Sequence, residues 1–256
     1  MCLILFAFHQ REDFPLVVIA NRDEFYARPT RSAHWWEDDP GIFGGRDLEA
    51  SGTWMGVNKN GRFAAITNVR EPGVKVQAAL SRGDLPRAFL RGSASPHDYL
   101  SDVEKKADAY AGFNLLVGDA TALWFYSNRS PGIKPLAPGF YGISNAAFDQ
   151  SWPKLVSGRQ ALEQALETGV DDAALLRILG DRSQADDAQL PKTGVPLELE
   201  RLLSSRFIES PEYGTRASSV VKFSRQGQIH FTEQNFDPAQ TDIEAQRVTE
   251  LITIAH

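Results

Sequence analysis

Cys2-Leu3-Ile4-Leu5-Phe6-Ala7-Phe8 and Leu16-Val17-Val18-Ile19-Ala20-Asn21-Arg22-Asp23-Glu24 flank a charged turn at residues 9–13. Paired as a hairpin centred near Glu12, the two runs place position 2 across from roughly position 22, because opposed residues of an antiparallel pair keep a constant sum. The chain's only cysteine then faces its densest polar cluster. Both runs are continuously apolar instead of alternating, so each needs cover on both faces, one from another sheet and one from helices.

Further along, residues 25–52 carry Pro29, Trp35, Trp36, Pro40-Gly41 and Gly44-Gly45, and read as irregular connection with at most one short strand at 42–45. Strand-like runs at 53–58 and 62–68 flank Asn60-Gly61, the strongest hairpin signal in the chain. Helices are expected over 81–91 and 96–110, the second opened by Ser95 with Pro96 at its first position. Strands follow at 113–118, 122–127 and 139–144, then a helix from Ser151 and Pro153 to about 168. Two more helices are expected between 171 and 205, on either side of a polar stretch at 181–189. A hairpin of 218–224 with 228–234, turned at Gln226-Gly227, and an apolar run at 248–255 close the chain. Hairpins in place of strand–helix–strand alternation predict antiparallel sheets. The expected fold class is α+β, a four-layer αββα sandwich of two antiparallel sheets in one domain over 1–256.

Composition narrows the function classes. With 42% hydrophobic and 23% charged residues and no apolar run long enough for a bilayer, stable membrane insertion is not expected. A net charge of −6 argues against general attraction to nucleic acid. One cysteine makes no internal disulfide, and residues 1–20 lack a basic region and a cleavage site, so the expectation is cytoplasmic. The five histidines have no metal-ligand spacing, and no metal is expected. His34, beside Trp35 and Trp36, is the candidate axial ligand for a flat aromatic cofactor, with local satisfaction of its ring as the plainer role.

Cysteine at position 2 offers a particular chemistry. Removal of Met1, which a small second residue permits, exposes an α-amine of ordinary pKa near ~8 on the residue that carries the thiol, so nucleophile and base coincide. The plainer role is a small hydrophobe at a strand start. Arg22 is the cation the hairpin brings nearest, suited to lowering the thiol pKa, with Asp23 or Glu24 to orient it. An ion-pair network closing the hairpin end would use the same residues. Asn68 and Asn145 end apolar strands, where a side-chain amide aims at an oxyanion or simply closes a turn. Arg216 suits anion binding or an ordinary surface position.

Met1-Cys2-Leu3-Ile4 followed by Asn21-Arg22-Asp23-Glu24 resembles the NRDE family, also called the transport and Golgi organisation protein 2 family. Residues 52–57 (Gly-Thr-Trp-Met-Gly-Val), 65–68 (Ala-Ile-Thr-Asn) and 213–219 (Tyr-Gly-Thr-Arg-Ala-Ser-Ser) are similar to its pattern, which spans residue 1 to about 235. The resemblance implies the N-terminal-nucleophile hydrolase fold. Cysteine members of that fold, the penicillin V acylase and bile salt hydrolase group, use an N-terminal Cys, an Arg and an Asp after strand two, two downstream Asn and a late Arg. This chain offers Cys2, Arg22 with Asp23, Asn68, Asn145 and Arg216 in that order. Those hydrolases space the arginine and acid three apart, which makes Asn21 and Glu24 the alternative pair and ligand-binding candidates.

Two functions follow. One is an amidohydrolase or thioesterase acting through Cys2 on a small acyl metabolite, with no cofactor required. The other, implied by the family, is a carrier of haem or acyl-CoA in lipid homeostasis, linked to mitochondria and secretion in eukaryotic members. Its expected partner is a small molecule with an apolar body and an anionic group, held in a cleft rimmed by Arg22, Arg46, Arg70 and Arg216 and walled by Trp35, Trp36 and Trp54. The sequence leaves the oligomeric state open.

Overall fold

The computed structural model describes residues 2–73, 78–237 and 246–255. Thirteen strands of the described residues form two antiparallel sheets. The first has six strands, in the order β10 (Gly139–Ile143), β1 (Cys2–Phe8), β2 (Leu16–Phe25), β11 (Tyr213–Phe223), β12 (Gln228–Asn235) and β13 (Arg247–Thr253). The second runs in chain order through seven: β3 (Thr30–Trp35), β4 (Ile42–Asp47), β5 (Met55–Asn58), β6 (Phe63–Asn68), β7 (Phe113–Gly118), β8 (Leu123–Ser127) and β9 (Lys134–Pro135). Helices α1 (Asp84–Arg91) and α2 (Pro96–Glu104) cover the seven-stranded sheet. Helices α3 (Pro153–Thr168) and α4 (Asp172–Leu179) cover the other, and α5 (Leu197–Ser204) abuts the start of α3.

The result is the αββα sandwich that the continuous apolar runs require. From β1, Ile4, Phe6 and Phe8 enter the layer between the sheets, while Leu3, Leu5 and Ala7 meet Leu155, Leu162 and Leu175 of the helices. β2 divides in the same way, with Leu16, Val18 and Ala20 between the sheets and Val17 and Ile19 toward the helices. On the far side, Leu85, Phe89, Leu90 and Leu100 cover Ala64, Ile66, Leu115 and Val117. Among the described residues no helix is long and apolar enough to cross a membrane.

Polar ties hold the sheets at the end where β1 begins. Arg22 of β2, only 4% exposed, meets Asp47 of β4 at 3.2 Å. Thr67 Oγ1 and Asn114 Nδ2 both donate to the Ser144 carbonyl just past β10, at 2.6 and 3.1 Å. Fully buried Glu233 of β12 accepts the Ala33 N–H of β3 at 2.7 Å, and burial raises its pKa. These bonds across the gap satisfy buried polar groups, as a dry interior demands.

Several expectations are corrected. Residues 30–35 form a strand where irregular chain was expected. β3 is polar and lies at the sheet edge, and only Ala33 of it is fully buried, so it lacks an apolar signature. The helix expected from 81 starts at Asp84, because the Gly83 carbonyl accepts the Thr53 N–H at 3.1 Å and holds that segment outside the helix. The next helix stops at Glu104, with a short 3-10 turn at Ala107–Ala109. β11 begins at Tyr213, five residues before the expected 218.

Two substitutions test these contacts. A Cβ on Gly52 would lie 2.4 Å from the Gly83 carbonyl carbon, so Gly52→Ala is expected to cost about 1–3 kcal/mol in urea denaturation. Burial favours the neutral form of Asp47, but hydrogen bonds from Arg28 and the Ala50 N–H, together with the charges of Arg28 and Arg22, outweigh it and hold the carboxyl below its ordinary range. Asp47→Asn, which leaves Arg22 without its carboxylate, is expected to cost roughly 2–3 kcal/mol at neutral pH. Because the folded-state pKa is depressed, that difference is complete above the unfolded value near ~4 and shrinks as pH falls through the folded one. A gap that widens in acid would contradict this assignment.

Candidate active site

The β1–β2 register pairs Cys2 directly with Arg22, Leu3 with Asn21 and Ile4 with Ala20. Directly opposed residues point to the same face, so Cys2 and Arg22 share the inter-sheet side and Asn21 faces the helices. Asn21 is consumed there: its Nδ2 donates to the Leu179 and Arg206 carbonyls at 2.9 and 2.8 Å, and its Oδ1 accepts the Ser218 hydroxyl at 2.5 Å. Arg22, not Asn21, is the residue opposite the thiol.

Cys2, Arg22, Asp23, Glu24, Trp54 and Asn68 line one cleft of ≈150 Å³, completed by Arg28, Asp47, Thr53 and the Ser81-Arg82-Gly83 segment. Arg22 donates to Thr30 Oγ1 at 3.0 Å and stacks its guanidinium 4.3 Å from the centre of the Trp54 ring. Gly45 makes room for that indole, since a Cβ there would sit 2.1 Å from it. Asp47 accepts two bonds from Arg28, at 2.6 and 3.2 Å, besides the one from Arg22. Glu24 lies 3.9 Å from Arg28.

Electrostatics set the resting state of the sulfur. Burial pushes the Cys2 thiol up, and the nearby Asp23 charge adds to it, whereas Arg22 and the Asp23 N–H favour the thiolate. A thiol with a raised pKa rests protonated at neutral pH and needs a base to become a nucleophile. Burial likewise raises Asp23, whose Oδ1 accepts the Thr215 hydroxyl at 2.7 Å. Lys154, 3% exposed at the start of α3, opposes that rise with its charge. Its own ammonium is lowered by burial to about 8 and donates to the Leu203 carbonyl at 2.9 Å.

The remaining candidates lie elsewhere. Asn145 is buried, and its Nδ2 donates to the Asn68 carbonyl at 2.9 Å, so it holds the end of β6 and not the cleft itself. Arg216 is the extra residue of a β-bulge between Thr215 and Ala217. The bulge turns its side chain so that Nη1 donates to the carbonyls of Phe25, Tyr26 and Arg28 at 3.0–3.2 Å. It lines a neighbouring cavity of ≈250 Å³ that shares Arg22 and Trp54 with the cleft.

Trp35 and Trp36 are not walls of the cleft. Trp35 Nε1 donates to Glu250 at 3.0 Å, and Trp36, 1% exposed under α1, donates to the Gly44 carbonyl at 3.0 Å. Arg46 pairs with Asp38 and Arg70 with Glu200, both away from the sulfur. His34 Nδ1 lies 2.7 Å from the Ser32 carbonyl. Among the described residues no cluster of His, Cys, Asp and Glu is arranged to hold a metal ion.

Sequence reading missed Arg28, Asp47, Arg82 and Lys154. The first two sit in the stretch read as irregular, Arg82 was placed inside a helix, and Lys154 looks like an ordinary first-turn lysine until its burial is seen.

The pattern of the family described as Transport and Golgi organisation 2 matches residues 1–238. The Transport and Golgi organization protein 2 homolog of Bos taurus is 35% identical over 260 residues, covering 92% of this chain and 93% of its own. The Homo sapiens homolog is 34% identical over 261 residues with the same coverage. Among solved structures, a cysteine-to-alanine mutant of the conjugated bile acid hydrolase from Clostridium perfringens aligns with a TM-score of 0.52 at 10% identity, covering 98% of this chain and 96% of that one. An arginine-to-leucine variant of the same hydrolase gives 0.51 at 9%, covering 98% and 97%. At that identity the likeness speaks for the fold alone. The chain therefore belongs to the Transport and Golgi organisation 2 family, built on the N-terminal-nucleophile hydrolase fold.

Proposed function

We propose that this protein is a cysteine-dependent amidohydrolase or thioesterase of the N-terminal-nucleophile type, acting on a small acyl metabolite. The observation that carries the reading is the register pair of Cys2 with Arg22, which sets the sulfur in a charged cleft between the sheets. Removal of Met1 supplies the base. The Cys2 α-amine accepts the thiol proton while Sγ attacks the carbonyl carbon. The oxyanion of the tetrahedral intermediate is met by the Asn68 amide, whose strand end Asn145 fixes. Collapse expels the amine or thiol leaving group, which takes the proton from the α-ammonium, and leaves a thioester on Cys2. Water, deprotonated by the same amine, then releases the acid and restores the thiol. A nucleophile that must stay a free thiol suits a reducing, cytoplasmic setting.

Size and charge favour this reading over a carrier for haem or acyl-CoA. The cleft's ≈150 Å³ is below the ~300–1,000 Å³ of pockets that enclose drug-sized ligands. Six charged residues, Arg22, Asp23, Glu24, Arg28, Asp47 and Arg82, line it beside Ala50 and Ile66, and its indole, Trp54, is covered by Arg22. Beyond Ala50, Ile66 and the Arg22-covered Trp54, an extended apolar ligand finds little wall there. The larger hollow of ≈590 Å³ at the start of α3 contains no nucleophile of this kind.

Hydrolysis of short acyl thioesters and acyl anilides by purified protein tests the proposal. Cys2→Ala is expected to lower kcat at least ~10³-fold with the fold intact by circular dichroism. Equal turnover by wild type and Cys2→Ala would overturn it.

A further inference from the structure

The cations around the Cys2 cleft are not equivalent. Arg22 and Arg28 converge on Asp47, and Arg28 also meets Glu49 at 3.1 Å. Arg82 borders the same cleft from the segment before α1, and its Nη1 donates to the Gly112 carbonyl at 3.0 Å. Among the described residues no carboxylate lies within 4.0 Å of its guanidinium. The acids whose fields reach it are engaged elsewhere: Glu24 is turned toward Arg28, and Glu71 is gripped by Arg129 through bonds of 2.5 and 3.1 Å.

A guanidinium offers five N–H donors in a planar fork that matches a carboxylate. Arg82 is largely withdrawn from water without such a partner, and burial lowers its pKa accordingly. Charge taken out of water without a counter-ion is costly, so an anion entering the cleft is favoured at this position. The cleft's ≈150 Å³, below the ~300–1,000 Å³ of pockets for drug-sized ligands, favours a short anion.

We propose that Arg82 anchors a carboxylate carried by the substrate, so that the protein acts on short acyl compounds bearing a carboxylate a few bonds from the carbonyl that Cys2 attacks. The word substrate rests on the hydrolase reading. The anion site itself does not.

Alkylation of the chain's only cysteine reads the site without requiring turnover. Iodoacetate and iodoacetamide both lose iodide to the Cys2 thiolate and form a thioether, and they differ chiefly in the carboxylate. The ratio of their rates cancels any change in thiolate fraction that a substitution causes. Arg82→Gln is expected to lower the iodoacetate-to-iodoacetamide ratio roughly tenfold, and Arg82→Lys to restore most of it. In the unmodified protein, glutarate is expected to slow iodoacetamide labelling in a saturable way, a result independent of how the variants fold. An unchanged ratio in Arg82→Gln, or no protection by glutarate, would overturn the assignment. An unchanged ratio alongside Cys2-dependent hydrolysis removes the anchor and leaves the enzyme; a lowered ratio without hydrolysis does the reverse.

Discussion

The antiparallel register of β1 on β2 governs everything at the candidate site. Both strands are apolar on both faces, so hydrophobic burial alone tolerates a one-residue slip, although such a slip turns every side chain over. The polar residues that end β2 remove that freedom. Asn21 is fixed to the helix layer by the Leu179 and Arg206 carbonyls, and Arg22 to the opposite sheet by Asp47. A slip would carry an arginine into the helix layer and an asparagine toward Asp47, leaving buried groups unsatisfied on both sides. The ties that hold the sandwich closed therefore also aim the sulfur.

The same economy shapes the charge of the cleft. Asp47 is shared by Arg22 and Arg28, and the stack on Trp54 holds Arg22 against the wall. Arg22 consequently acts on the thiol as a fixed charge already shared with a carboxylate, too weak to offset burial. On the proposed hydrolase reading, activation then falls to a base on the nucleophile's own residue. Asn145 illustrates the division of labour: it serves the site only by positioning the backbone of Asn68.

Much of this was legible in the residues. A constant sum of positions paired Cys2 with Arg22, and the unbroken apolar character of both strands required sheets and helices on opposite faces. Asn60-Gly61 marked its hairpin, and Ser95 with Pro96 opened its helix. What escaped depends on tertiary contacts with no local signature. β3 is too polar to be read as a strand, yet it brings Thr30 to Arg22. Trp35 and Trp36 look like a binding wall by adjacency, but Trp35 packs on the core between the sheets and Trp36, just past β3, under the helices, and each indole bonds elsewhere. Arg216 is redirected by a bulge, and Arg82 is freed from a helix by the backbone contact between Gly83 and Thr53.

The central claim is that the Cys2 sulfur draws its base from its own α-amine. Intact-mass spectrometry of the untagged protein purified from cells tests it directly. The account predicts a chain whose first residue is Cys2. A population that uniformly retains Met1 would contradict it, because no free amine would then stand beside the thiol.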